Sequence, residues 1–296
     1  MIKAITVINH LGESLRLDLE DPYKTGLAVT KIDGLGPVKA NLNFTEMATI
    51  DGSKDNTSRL DTRNIILNLL FFEHPSIEAT RYLTYKYFPT KHDVTITVET
   101  DTRTATARGR VESNEPDIFS DQEGCQISIV CSDPYFYKGD AKHSEETIEF
   151  YASDPIFEYP FENDDLHLPK LIMSESRVIV DRNVHYEGNY ESGLILKLHA
   201  VGTVEGIHLY EVLRSQHMFL NTAMINGDTI TVDTRRGKKS ITLTRAGVST
   251  NILNVLGEDP DWITLIHGDN QLTFTADDGS QYLQFTVTYP TLYTGV

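Results

Sequence analysis

The chain is built from alternation. Between Asp93 and Glu99, Val94, Ile96 and Val98 take turns with Thr95, Thr97 and Glu99. A period of two places every second side chain on one face of an extended strand. The pattern recurs along most of the sequence. "TATARGRVE" returns after the turn "TDTR", and Leu194, Leu196 and Leu198 share a face of "SGLILKLHAVG". "GDTITVDTRRGKKSITLTRAG" reads as a hairpin around Gly237. "NQLTFTADDGSQYLQFTVTY" reads as a hairpin around Asp278-Gly279, with Leu272 and Phe274 facing in. Such a chain must satisfy its backbone in sheets and cover each apolar face with another layer. One stretch departs from the rule. In "HPSIEATRYLTYKYF", Ile77, Thr80, Leu83 or Thr84, Tyr87 and Phe88 recur at helical spacing. Pro75 and Glu78 suit a first turn and Pro89 stops the helix. This helix is expected to cover one end or face of the first β-domain.

At 296 residues the chain is long enough for two domains. The fold class is mainly β, with a first domain at 1–140 and a second at 141–296. The stretch 133–172 is rich in Pro, aromatics and acids and reads as the boundary or the entry to the second domain. Beyond it lie short strands and turns, the pattern of a β-sandwich. "VESNEPDIFS" and "CQISIVCSDPYF" read as strand-like runs set off by polar, Pro-containing bends, which leaves open a catalytic loop, a metal site or the closing edge of a domain. Between "GPVKANLNF" and "NIILNLLFF" lies the polar run "TEMATIDGSKDNTSRLDTR". A link this long inside a compact domain is unusual. We read it as the tip of a long hairpin arm at about 43–63, which needs a neighbour to lie on. The alternative is a surface loop.

The formal charge is −17, from 26 Lys+Arg against 43 Asp+Glu. Both parts are acidic, and the densest basic run is "RRGKK". Gripping a phosphate backbone or an anionic membrane is therefore disfavoured. No apolar run approaches the roughly 18 residues of a membrane span. The opening "MIKAITVINHLGESLRLD" lacks a signal-peptide core, since Asn9, His10 and Gly12 interrupt it. We therefore expect a soluble protein made without secretion. Cys125 and Cys131 are the only cysteines. On one strand they lie about 20 Å apart at about 3.3 Å per residue. A disulfide needs Cα atoms within about 7 Å, so they are read as buried, reduced thiols on the face shared with Ile127 and Ile129.

Motifs that carry chemistry are missing. "DGLGPV" precedes no helical pattern, so it is not a phosphate loop. "DGSKDNTSRLDT" has Asn56 and Thr62 where a calcium loop wants Gly and Glu. The ten histidines form no zinc spacing, and no GxSxG elbow occurs. No catalytic, cofactor or metal residue is assigned. Trp262, the single tryptophan, reads as core or edge packing, with a sugar-stacking platform as the alternative.

One ordered set of motifs does resemble a known family, the siphophage distal tail proteins of the baseplate hub. "GLGP" (Gly34 to Pro37) is followed by Asp51-Gly52 and then by Arg59, Arg63, Asn64 and Ile65 in "RLDTRNI". "CQISIVCSDPYF", "EGNYESG", "DWITLIHGDNQLTFTADDG" and "LYTGV" fit the same family in order. The resemblance implies a β-barrel-like N-terminal domain with one helix, six copies of which form a ring. Its arm would clasp the adjacent subunit, with Asp51, Gly52, Arg59, Arg63 and Asn64 in that contact. It implies a galectin-like β-sandwich projecting outward as a platform for receptor-binding proteins or side fibres. The ring would join the tail tube protein to the tail-tip or tail-fibre protein at the distal end of the virion tail, after synthesis in the host cytoplasm. DNA would pass through the lumen without specific binding, and no enzyme activity is implied. The alternative is a carbohydrate-binding module engaging cell-wall saccharide, with Trp262 as the candidate contact for saccharide or partner. A wall hydrolase is the third reading.

Overall fold

Strand pairing in the computed structural model sorts the chain into two units, 1–144 with 292–296, and 145–291. Described are residues 1–47, 51–140, 144–155, 174–178 and 181–296.

The first unit runs β1 (Ile2–Ile8), β2 (Ser14–Asp18), β3 (Leu27–Asp33), β4 (Ala40–Glu46), β5 (Ser53–Leu60) and β6 (Arg63–Phe71). Helix α1 (Ile77–Tyr87) follows, then β7 (Asp93–Thr100), β8 (Thr104–Asp117), β9 (Gly124–Cys131) and β10 (Phe136–Lys138). The main sheet has the order β2-β1-β7-β8-β9-β6-β3. Its alternation is the one read from sequence: Val94, Ile96 and Val98 are buried, as are Ile127 and Ile129 between the two cysteines. The sheet curls until β2 approaches β3, with a 3-10 turn at Pro22–Lys24 against both. Among the described residues no ladder joins those two edges, and the curled sheet is barrel-like, as expected.

Helix α1 forms where the spacing predicts it. Its cap is Ser76, whose Oγ accepts from Ala79 N, so Pro75 sits just outside the helix and not in its first turn. Thr80 and Thr84 face inward, and Ile77, Leu83 and Tyr87 pack on the core. Two asparagines serve its last carbonyls: Asn9 Nδ2 donates to Lys86 O and Asn114 Nδ2 to Thr84 O.

The second unit is a β-sandwich. In chain order its strands are β11 (Glu145–Glu149), β12 (Tyr151–Pro155), β13 (Ser174–Val178), β14 (Asp181–Tyr186), β15 (Ser192–Gly193), β16 (Ile195–Ala200) and β17 (Val204–Glu211). They continue as β18 (Gln216–Met224), β19 (Thr229–Asp233), β20 (Ser240–Arg245), β21 (Val248–Asn251), β22 (Thr264–Leu265), β23 (Gly268–Asp278) and β24 (Leu283–Pro290). One sheet has the order β11-β24-β16-β19-β20-β21 and the other β14-β23-β17-β18. Leu196, Leu198, Val232 and Phe285 from the first meet Leu209, Leu220, Leu272 and Phe274 from the second. Phe150 packs its ring 4.8 Å from Phe285, which lies 5.0 Å from Phe274. The hairpin around Gly237 is present as β19–β20.

The Asp278-Gly279 hairpin is not. β23 pairs with β14 and β17, whereas β24 pairs with β11 and β16. Gly279 takes a left-handed conformation at φ 75° and opens a 3-10 turn at Ser280–Tyr282. That turn carries the chain from one layer to the other, so Phe274 and Phe285 face each other across the core instead of sharing a sheet. Of the stretch 133–172, residues 141–143 and 156–172 lie outside the described residues.

Residues 292–296 return to the first unit. Strand β25 (Leu292–Tyr293) pairs with β10, and Val296 N donates to Leu35 O. What holds this return is Arg63, only 1 % exposed. Its Nε and Nη2 donate to Pro134 O at 2.9 and 2.6 Å. Its Nη1 donates to Gly34 O and Gly36 O at 2.5 and 2.7 Å, and Nη2 reaches Thr294 O at 2.7 Å. The guanidinium also lies 4.3 Å from the Phe136 ring centroid. Arg63→Met should orphan four carbonyls and lower the stability of the first unit by about 3–5 kcal/mol. Arg63→Lys should recover little of it, because an ammonium cannot reproduce the fork. Urea unfolding of the three proteins checks this.

A candidate assembly site

β4 and β5 form a ribbon of their own, joined through Asp51-Gly52 and paired with no other strand. It covers Ala40–Leu60, a little earlier than the 43–63 read from sequence. Nearly every residue in it is exposed. A two-stranded ribbon without a core is marginal on its own, and this one is stiffened by side chains on one face. Asn41 Nδ2 donates to Asp61 Oδ1 at 2.7 Å, Asn43 Nδ2 to Thr57 Oγ1 at 3.2 Å, and Asn56 Nδ2 to Thr45 Oγ1 at 2.6 Å. Asn56 is available for the third bond because a bulge falls between the Asn43–Thr57 and Phe44–Asp55 pairs. The opposite face carries Leu42 and Phe44, 53 % and 54 % exposed, and Met47 follows at 47 %. The arm is thus polar and internally bonded on one side, while the other sets the apolar Leu42 and Phe44 beside Ser58 and Asp55 with no cover among the described residues.

The five residues expected in a subunit contact separate into two groups. Asp51, Gly52 and Arg59 are exposed on the arm, with Gly52 at φ 99° making its turn. Arg63 and Asn64 sit at its base. Arg63 is spent inside its own unit, as described above, and Asn64 Oδ1 lies 3.0 Å from Ser128 Oγ. The structure gives "GLGP" and the later arginine one shared purpose: the turn presents the carbonyls of Gly34 and Gly36 to Arg63. Gly34 has φ 86°, and a Cβ there would run into the Asn64 carbonyl. Leu42 and Phe44 were passed over in the sequence reading, although their alternation with Asn41, Asn43 and Thr45 was the available signal.

Elsewhere, Trp262 is partly buried against the sandwich core, and Lys239 Nζ lies 5.0 Å over its ring. It does not offer a bare stacking face. Cys125 and Cys131 are free and buried. Burial pushes the Cys125 thiol up to about 12 and the Cys131 thiol up to about 11, where Arg63 pulls weakly the other way. Neither is poised as a nucleophile. Among the described residues no group of three or more His, Cys, Asp or Glu side chains could hold a metal ion, and no helix is long and apolar enough to cross a membrane.

Residues 187–293 match the family described as "Siphovirus-type tail component, C-terminal domain". That match covers much of the second unit and runs into the returning segment. The fold of the chain is similar over nearly its whole length to that of the SPP1 Dit protein, described as a paradigm of the hub adsorption apparatus in Gram-positive infecting phages. The TM-score is 0.62 at 14 % identity, covering 98 % of this chain and 99 % of that one. A chain of the phage P2 baseplate in its Ca-activated conformation aligns at 10 % identity over 97 % and 98 % of the two chains, with a TM-score of 0.39 too low to carry an argument. No curated protein matches this chain. Both of its thiols should resist Ellman's reagent at pH 8 in the native protein and react fully in urea, which a titration of free thiols checks.

Proposed function

We propose that this chain is the ring-forming hub at the distal end of a siphophage tail. Six copies close through head-to-tail contacts in which each arm lies on its neighbour. The observation that carries the reading is the arm: a stiffened ribbon whose Leu42 and Phe44 face has no cover among the described residues. A ring requires a heterologous contact that closes, and a projecting element of this kind supplies one half of it. The hub would link the tail tube protein to the tail-tip or tail-fibre protein. The sandwich would serve as a docking platform for receptor-binding proteins or side fibres. On this reading the chain acts by assembly and not by catalysis, which agrees with its buried, inert thiols. DNA would pass an acidic surface that discourages sticking.

Light scattering on a sizing column tests it. Six chains of 33.4 kDa should elute as a ring of about 200 kDa, or twice that if two rings stack. The double variant Leu42→Ser, Phe44→Ser should elute as a monomer with its melting temperature unchanged, since both positions are exposed in the single chain. A ring that survives the double substitution, or a wild-type protein that stays monomeric at every concentration, would reject the arm's role.

A further inference from the structure

A second built feature stands on the four-stranded sheet of the sandwich. On its outer face the rings of Phe219, His208, His217 and Tyr210 stack in that order. Successive centroids are 4.4, 5.4 and 4.6 Å apart and interplanar angles are 21°, 8° and 13°. The order follows from the register, in which His208 pairs with Phe219 and Tyr210 with His217 across β17 and β18. Within the stack His208 Nδ1 lies 3.1 Å from His217 Nε2, and His208 Nε2 lies 3.2 Å from Asp277 Oδ1 on β23. The β17–β23 ladder runs past Gly206, φ 60°, without a shift, and the missing Cβ leaves the room that the Asp277 carboxylate occupies on its way to His208.

We propose that Asp277, His208 and His217 form a proton-sharing relay that makes the outermost strand β18 sensitive to acid. The argument is one of donors and acceptors. An ionised carboxylate only accepts, so the hydrogen between Asp277 and His208 sits on His208 Nε2. Neutral His208 then has a lone pair on Nδ1, and the hydrogen between the rings must come from His217 Nε2. His217 Nδ1 is left without a hydrogen, as the site for the next proton. A first added proton keeps both bonds, since either ring can be the imidazolium while the other accepts. A second one sets N–H against N–H 3.1 Å apart, with two like charges. The titratable groups facing the pair are Tyr210 on β17, Asp277 on β23 and Asp261, whose backbone N donates to His217 O on the far side of β18. Burial holds the His217 pKa below the ordinary histidine value, the nearby His208 lowers it further, and Asp261 opposes both. A depressed histidine favours the neutral folded form. The stability this contributes is therefore present above the unfolded value near 6.5 and is lost as the pH falls through the folded one.

Long-range nitrogen NMR on the intact, histidine-labelled protein tests the relay. At pH 8 both rings should carry their hydrogen on Nε2, and His217→Gln should shift the titration of His208. Hydrogen exchange, compared between the two proteins at the same pH, tests its consequence. Amides of β18 should exchange several-fold faster in wild type than in His217→Gln at pH 5, and equally at pH 7.5. A hydrogen on His208 Nδ1 at pH 8, or a His208 titration unmoved by His217→Gln, would overturn the relay. Equal exchange of β18 in the two proteins at pH 5 would overturn the acid sensitivity.

Discussion

A buried guanidinium with no carboxylate in contact is the constraint on which the first unit rests. Removing a cation from water is costly, and Arg63 offsets that cost with carbonyl dipoles instead of an opposite charge. Its five hydrogen bonds end on four backbone oxygens from three separate places: Gly34 and Gly36 before the arm, Pro134 after β9, and Thr294 on the returning segment. Burial lowers its pKa, with Cys131 and Asp133 acting in the other direction. The Pro134 and Thr294 segments are also joined by the short β10–β25 ladder, and the Gly34–Gly36 turn meets the returning segment through the Val296–Leu35 backbone bond. Arg63 is the first residue of β6, which lies one strand in from the sheet's edge and pairs with both β3 and β9, so the clamp is anchored in a strand laddered on both sides.

The arm gains its direction from that clamp. It leaves the sheet between Gly34–Gly36 and Arg63, and both of its ends are tied to the same guanidinium. Its own polar ladder keeps the two strands together without a core. Energy that a lone hairpin lacks is thus supplied at the root and along one face, which leaves the face of Leu42 and Phe44 free for another surface. The outer face of the sandwich shows the opposite use of a two-stranded element. There the side chains are stacked against one another, and a glycine in one strand makes room for a carboxylate from a third.

What could be read in advance follows from range. Val94, Ile96 and Val98, the helix from Ile77, and the hairpin at Gly237 are set by neighbours within a few residues, and the pattern of each is visible in the sequence. Asp278-Gly279 has the local chemistry of a hairpin turn, but the choice between a hairpin and a crossing to the other sheet depends on partners up to about 130 residues away. Arg63 reads in sequence as a charge at the end of an exposed arm, two residues after Asp61, and no motif or spacing points it inward. Its partners are carbonyls, which every residue has and no sequence advertises. His208 and His217 lie on consecutive strands, each two residues from an aromatic neighbour, so their cross-strand stack was in principle legible. The aim of Asp277 at His208 was not, because it depends on β23 pairing with β17 and on the room left beside Gly206.

The return of residues 292–296 to the first unit also orders events in time. Ribosomes release a chain from its beginning, and here the whole sandwich, 145–291, is synthesised before the last strand of the first unit exists. Until then Arg63 lacks the Thr294 carbonyl, Phe136 lacks its pairing with Tyr293, and Leu35 lacks the amide of Val296. A nascent chain therefore cannot finish the surface around its arm root before its second domain is made. An unfinished polypeptide, whatever else it has folded, lacks the last contacts that fix the root of its arm.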